Sequence, residues 1–287
     1  MIVMLDNSII KKINDFVYKK PRTVQEISEL IKKSWKTAES YVNRISDEQG
    51  TISTRTFRGG TKGALKIVFW NSLDSLDKNN IQYRLYKEIE KGRLRQDFSP
   101  LDIYQYVDKG KKSSFLLKQD KYISKENYDD FKNLLLSVKK DIFIFSGNLT
   151  FSEMNYKNEK ILEVIKGLAI KGINFKILTR VEFGIIEEIL DLLAINKELG
   201  RTAIEIRHCY HPLRCTIIDD KVATLKETEI STSHYDNKPQ DNINILFSIY
   251  DEEWVAWLKK IFWDLFRTAI PCEKRLEELN ILRKKYL

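Results

Sequence analysis

Apolar positions recur at helical spacing before the chain turns to alternation. Ile9, Ile13, Phe16 and Val17 share one face of a helix expected over 7–19, which Pro21 closes. Val24, Ile27, Leu30 and Ile31 form a second stripe after Thr23, a good N-cap. Ser34 can cap a third helix, in which Trp35, Ala38, Val42 and Ile45 make an apolar stripe that must face inward. Two strand-like runs follow, at 51–57 and 65–70, joined by Arg58-Gly59-Gly60-Thr61-Lys62-Gly63. Three glycines in those six residues suit a hairpin tip that needs positive φ. Helices and hairpin in this order predict an α+β winged helix-turn-helix domain over residues 1–72.

Residues 73–124 read as a helical linker: a polar stretch, a helix over 81–91, a short helical piece over 101–107, and the charged loop 108–114. From 125 the pattern changes. A helix carries Tyr128, Phe131, Leu134, Leu135 and Val138, and an apolar strand is expected over 141–146. An amphipathic helix over 158–171 ends at Gly172 and leads to a strand over 173–178. Strand, helix and strand at these lengths make a βαβ unit with parallel pairing. A helix over 183–193 and a strand over 203–209 follow, then a hairpin over 214–225 turning at Asp219-Asp220. A strand over 242–250 and helices over 252–266 and 272–286 complete an α/β domain with a mixed sheet over 125–287.

Charge sharpens the first domain. Residues 1–70 hold thirteen Lys and Arg against seven Asp and Glu, whereas the remaining 217 residues hold 36 against 34. The basicity therefore sits on the expected winged helix, as it does on a protein that grips a polyanion. On the third helix the polar face presents Lys36, Thr37, Ser40, Tyr41 and Arg44, and Trp35 at its start joins them. These are the donors and hydroxyls that reach base edges and phosphates. Arg55, Arg58 and Lys62 put cations on the hairpin. Double-stranded DNA is the expected partner. A bland reading of the same pattern is a protein-interaction module with a solvated basic face.

Other classes fall away. The composition, 43% hydrophobic, can build a core, and no run of about 18 apolar residues exists to span a membrane. The opening MIVMLDNSII lacks the basic segment and cleavage site of a signal peptide. Cys209, Cys215 and Cys272 do not make a disulfide framework, so a reducing cytoplasm is expected. His208, Cys209, His211 and Cys215 have irregular spacing that fits no zinc pattern, and no metal or cofactor is expected.

The segments KDIFIFSGNLTF, KGINFKILTR, HPLRCTIIDDKVATLKE and NINILFSIYDEEWVAWLKKIFWDLF resemble a phospholipase D-type domain. With the N-terminal winged helix and the ending FWDLFRTAIPCEKRLEEL, the chain resembles archaeal TrmB-like transcription regulators. That resemblance implies a homodimer and a duplex partner, while a small-molecule effector is suggested only by the vestigial site and its Arg214. Anchored on Asp219, the family's His-x-Lys-x4-Asp motif meets Pro212 where the nucleophilic His belongs and Arg214 where Lys belongs. Lys226-Glu227-Thr228-Glu229 replaces its Gly-Ser-x-Asn. Proline cannot attack phosphorus, and His211 is one residue out of step. The expectation is a non-enzyme that keeps Arg214, with His211 beside it, as a candidate anion or effector site. Alternatives are a phosphodiesterase or nuclease using a shifted His211, and an architectural chromatin protein that binds any duplex.

Overall fold

The computed structural model describes residues 6–58, 64–71, 81–118, 125–230 and 242–286. The chain divides into two compact units, Met1–Leu76 and Asp77–Leu287.

The first unit contains α1 (Asn7–Lys19), β1 (Arg22–Thr23), α2 (Val24–Ile31), α3 (Trp35–Glu48), β2 (Ile52–Arg58) and β3 (Ala64–Trp70). Helices and hairpin fall where the apolar pattern puts them. β1 adds a short third strand, giving the order β1-β3-β2 with antiparallel pairing. Ile10, Ile13 and Val17 of α1 meet Val24, Ile27, Ala38, Val42 and Ile45, with Ile52 and Val68 from the sheet. A capping box starts α2. Thr23 Oγ1 accepts from the Glu26 N–H at 3.1 Å, and Glu26 Oε2 accepts from the Thr23 N–H at 2.7 Å. Thr23→Ala should destabilise this unit by about 1 kcal/mol, read as a shift of the urea midpoint, since the Glu26 N–H loses its acceptor. An unchanged midpoint would show that the box is incidental. Lys32 takes a left-handed conformation (φ 53°), turning the chain so that Ser34 can cap α3.

The second unit is built on an eight-stranded mixed sheet. Its elements are α4 (Ile81–Lys91), α5 (Leu101–Tyr104), β4 (Lys112–Lys118), α6 (Lys125–Leu136), β5 (Asp141–Phe145), β6 (Asn155–Tyr156), β7 (Glu159–Lys160), α7 (Ile161–Ile170), β8 (Asn174–Thr179), α8 (Ile186–Leu199), β9 (Ile204–His208), β10 (Cys215–Ile218), β11 (Val222–Ile230), β12 (Asn242–Ile249), α9 (Glu252–Thr268), β13 (Ile270–Pro271) and α10 (Cys272–Tyr286). The order is β13-β9-β8-β5-β10-β11-β12-β4, and β6 and β7 pair separately. Strands β5, β8 and β9 run parallel, with α7 and α8 as crossovers, and every other neighbouring pair is antiparallel. One face of the sheet packs Ile142, Ile144, Phe175 and Ile177 against Ile161, Ile165, Ile189 and Leu192. On the other, Phe143 and Phe145 each meet Phe262 of α9 at 5.2 Å between ring centroids. Pro271 lies on an edge strand, where its missing N–H costs nothing.

Part of the segment expected as a helical linker over 73–124 lies in the second unit. Residues 81–118 belong to the second unit. Tyr86 of α4 donates to Asp264 of α9 at 2.6 Å, and β4 closes the sheet against β12. β4 escapes sequence reading because Ser113, Ser114, Phe115 and Leu116 are all exposed. An edge strand open on both faces shows no period of two. Among the described residues no helix is long and apolar enough to cross a membrane.

Candidate nucleic-acid interface and a cationic cluster

α3 buries Ala38, Val42 and Ile45 and turns Lys36, Ser40 and Asn43 to solvent. Three of the sequence-derived residues fit that face less simply than expected. Trp35, assigned to the inward stripe as well as to the DNA set, is 42% exposed. It opens the helix, beyond the reach of the core its stripe-mates fill. Tyr41 is half-buried and packs against the core cluster. Arg44 is held by Glu48, 3.1 Å away and one turn on.

The remaining positions divide. Thr37 is part of the helix start: its N–H donates to Ser34 Oγ at 3.2 Å, and the two hydroxyls lie 2.9 Å apart. Lys66 of β3 reaches both Glu39 and Asn43 at 3.0 Å, which ties the hairpin to α3 and neutralises its carboxylate. Arg55 is exposed on β2. The Arg58 side chain and Lys62 lie outside the described residues. Lys36 and Ser40 thus remain exposed in the amino-terminal half of α3, beside Trp35.

The second unit gathers cations that sequence reading mostly missed. Arg214 stands just before β10, and a Cβ on Gly147 would overlap its guanidinium. Gly147 follows β5, and its carbonyl accepts from Arg180 Nε at 3.3 Å. Lys226, across from Arg214 on β11, donates its backbone N–H to the Arg214 carbonyl at 2.9 Å. Arg95 rides on the turn after α4, which Asp97 fixes by accepting from the Arg93 and Leu94 N–H groups at 2.8 Å. That turn rests on Pro212, so closely that a Cβ on Gly92 would come within 2.8 Å of its ring. Burial, then the charges of Arg180 and Arg95, brings the Arg214 pKa down to about 10. Lys226 is lowered too, by desolvation first and then by Arg95 and Arg214, although its side chain keeps exposed surface. Arg180 could have been suspected from sequence, since it closes the strand expected over 173–178. Lys226 gives no such signal, because it fills a motif position where the family has no cation.

His211 is 2% exposed and stacks edge-on to Phe145 at 5.3 Å. Its Nε2 lies 3.2 Å from the Leu178 carbonyl. A carbonyl only accepts, so Nε2 carries the proton and Nδ1 holds the lone pair. Nδ1 is buried without a hydrogen-bond partner. Burial pushes the His211 pKa down to about 4. His208 accepts from the Val181 N–H at 2.9 Å through Nδ1, and Cys215 is a buried strand residue. Cys209 is half-buried, with Sγ 3.4 Å from the Tyr210 carbonyl. Each has a local structural role.

No family model matches the sequence. No curated protein matches it either. Among solved structures the chain is similar to TrmBL2, an archaeal chromatin protein, at 14% identity and TM-score 0.40, over 93% of this chain and 94% of that one. It is also similar to NucT from Helicobacter pylori, at 16% identity and TM-score 0.36, over 56% of this chain and 99% of that one. Nuc from Salmonella typhimurium, a phospholipase D family member, aligns at 11% identity and TM-score 0.36, over 56% of this chain and 97% of that one.

Proposed function

We propose that the protein is a sequence-specific, DNA-binding transcription regulator that acts as a homodimer. In this reading the first unit is a winged helix-turn-helix and the second is a phospholipase D-type domain without catalysis. One observation carries the proposal. α3 offers Trp35, Lys36 and Ser40 to solvent at its amino-terminal end while its other side is consumed by the core. Such an end is what a recognition helix places in the major groove. Lys66 ties the hairpin to that helix, and the exposed Arg55 on the neighbouring strand supports the reading of the hairpin as a wing. The basic surplus of residues 1–70 supplies the long-range attraction.

Non-catalysis is supported by His211. Its Nε2 proton is held by a backbone carbonyl, and its lone pair points into protein. A nucleophile on phosphorus needs that lone pair at an open site. A nuclease assay in EDTA on labelled duplex should therefore show no cleavage above that of His211→Ala.

Selection of bound sequences from a random duplex pool tests the main proposal. A two-fold symmetric motif is expected, from two heads on two half-sites. Recovery of no motif, with binding intact, would favour an architectural protein instead. Lys36→Ala should weaken binding to the selected site by about 1–3 kcal/mol and relax preference at one base position. Arg44, already paired with Glu48, should matter less.

A further inference from the structure

Helix α8 buries Ile189, Leu192 and Ile195 in the core of the second unit. Its outer side carries Glu187, Leu190, Ala194 and Lys197, all exposed, at steps of three, four and three residues. That alternation is the seam spacing by which one helix packs along another. Leu190 is 53% exposed, and Phe183, in the turn just before the helix, is 47% exposed. Neither Glu187 nor Lys197 forms an ion pair among the described residues. Glu198, next to Lys197, is drawn instead to Lys166 at 2.6 Å. Beside the far end of α8 lies a shallow cavity of about 430 Å³, whose lining includes Leu193, Lys197, Gly200 and Arg201.

We propose that the outer face of α8 is a self-association surface, seated antiparallel on α8 of a second copy of the chain. The spacing sets the register. Glu187 and Lys197 lie equally far from Leu192 along the helix, and so do Leu190 and Ala194. A two-fold axis at the level of Leu192 therefore sets each Glu187 against the partner's Lys197, and each Leu190 against the partner's Ala194. A parallel arrangement would bring Glu187 to Glu187 and Lys197 to Lys197, where like charges repel. The same axis carries Phe183 across to the partner's Gly200 and the partner's Arg201, where the cavity lies. A Cβ on Gly200 would meet nothing within 4 Å, so the ring has an open approach. An aromatic anchor in a pocket, beside a small apolar centre, is the usual make-up of a binding surface. α8 has 14 residues and is about 21 Å long, so the pair buries less than a full-size interface and should dissociate on dilution. The surface rests on the homodimer of the proposed function and names where its copies meet. It does not depend on the nucleic-acid reading of α3.

The test is sedimentation velocity of the full chain without DNA, over a dilution series. The parent should form a dimer that dissociates as it is diluted. Glu187→Lys and Lys197→Glu each turn two attractive pairs into repulsive ones, and each should weaken the dimer about tenfold. The two changes together restore both pairs with their signs exchanged, so the double variant should recover most of the parent's affinity. Damage to the fold by either single change would not be undone by the other. Leu190→Glu, at an exposed position, should leave a folded monomer. Single reversals that dimerise like the parent would overturn the proposal, as would a double reversal no better than the singles. A parent still dimeric in that case would keep the homodimer and move its interface off α8. A parent monomeric at every concentration would sink this interface and the homodimer together. Duplex binding that depends on Lys36 stands or falls separately.

Discussion

Phe262→Ala should destabilise the second unit by about 3–5 kcal/mol, the range for deleting a buried aromatic ring. Phe262 is 0% exposed and touches Phe143, Phe145, Trp263 and Phe266, with ring centroids 5.1–6.1 Å apart. Its loss opens a hole between α9 and the sheet that no neighbouring aromatic ring can fill without leaving its own rotamer. Tryptophan fluorescence during urea unfolding can follow this. Trp254, Trp257 and Trp263 lie in α9, and Trp35 and Trp70 lie in the first unit. Phe262→Leu should cost much less. A loss below about 1 kcal/mol for the alanine variant would mean that α9 is not the second layer of that core.

Acid should weaken the fold through His211. Its pKa falls from 6.5 to about 4 on folding, with burial the main cause. Between those values the unfolded chain takes up a proton that the folded chain refuses. The stability this group contributes is therefore complete above its unfolded pKa and is lost as pH falls through the window. One such group gives about 1.4 kcal/mol per pH unit, so about 2 kcal/mol between pH 6.5 and pH 5. His208 is shifted the same way, also mainly by burial, and adds to the slope. His211→Gln removes the titrating ring, so its stability should fall less steeply over that interval, whatever its stability at pH 7. Parallel curves for the two proteins would show that His211 is not neutral in the fold.

Much of this architecture could be read from residue order. The helices of the first unit are legible because stripes and caps agree: Thr23 with Val24 and Ile27, and Ser34 with Ala38 and Val42. The parallel centre of the sheet was legible because β5 and β8 are short apolar runs on either side of an amphipathic helix. What escaped did so for physical reasons. α8 runs on to Leu199, past the helix expected over 183–193, and Gly200 in the left-handed region (φ 62°) ends it. Residues 113–116 of the edge strand β4 are all exposed, so no alternation shows there. Trp35 obeyed the spacing of its stripe but lies where there is no core to enter. The cationic cluster was hardest to see. Arg95, Arg180 and Lys226 come together with Arg214 only through the fold; Arg214 and Lys226 hold motif positions, but at that of Lys226 the family has no cation.

In the proposed function the exposed amino-terminal face of α3 grips a duplex. The most direct measurement is fluorescence anisotropy of a labelled duplex titrated with the full chain over a series of salt concentrations. Binding should be present at low salt and fall linearly on a log–log plot, with a slope smaller by about one in Arg55→Ala if that residue meets a phosphate. Lys36→Ala combined with Ser40→Ala should weaken binding at every salt concentration. No binding at low salt, or binding untouched by that double substitution, would contradict the account.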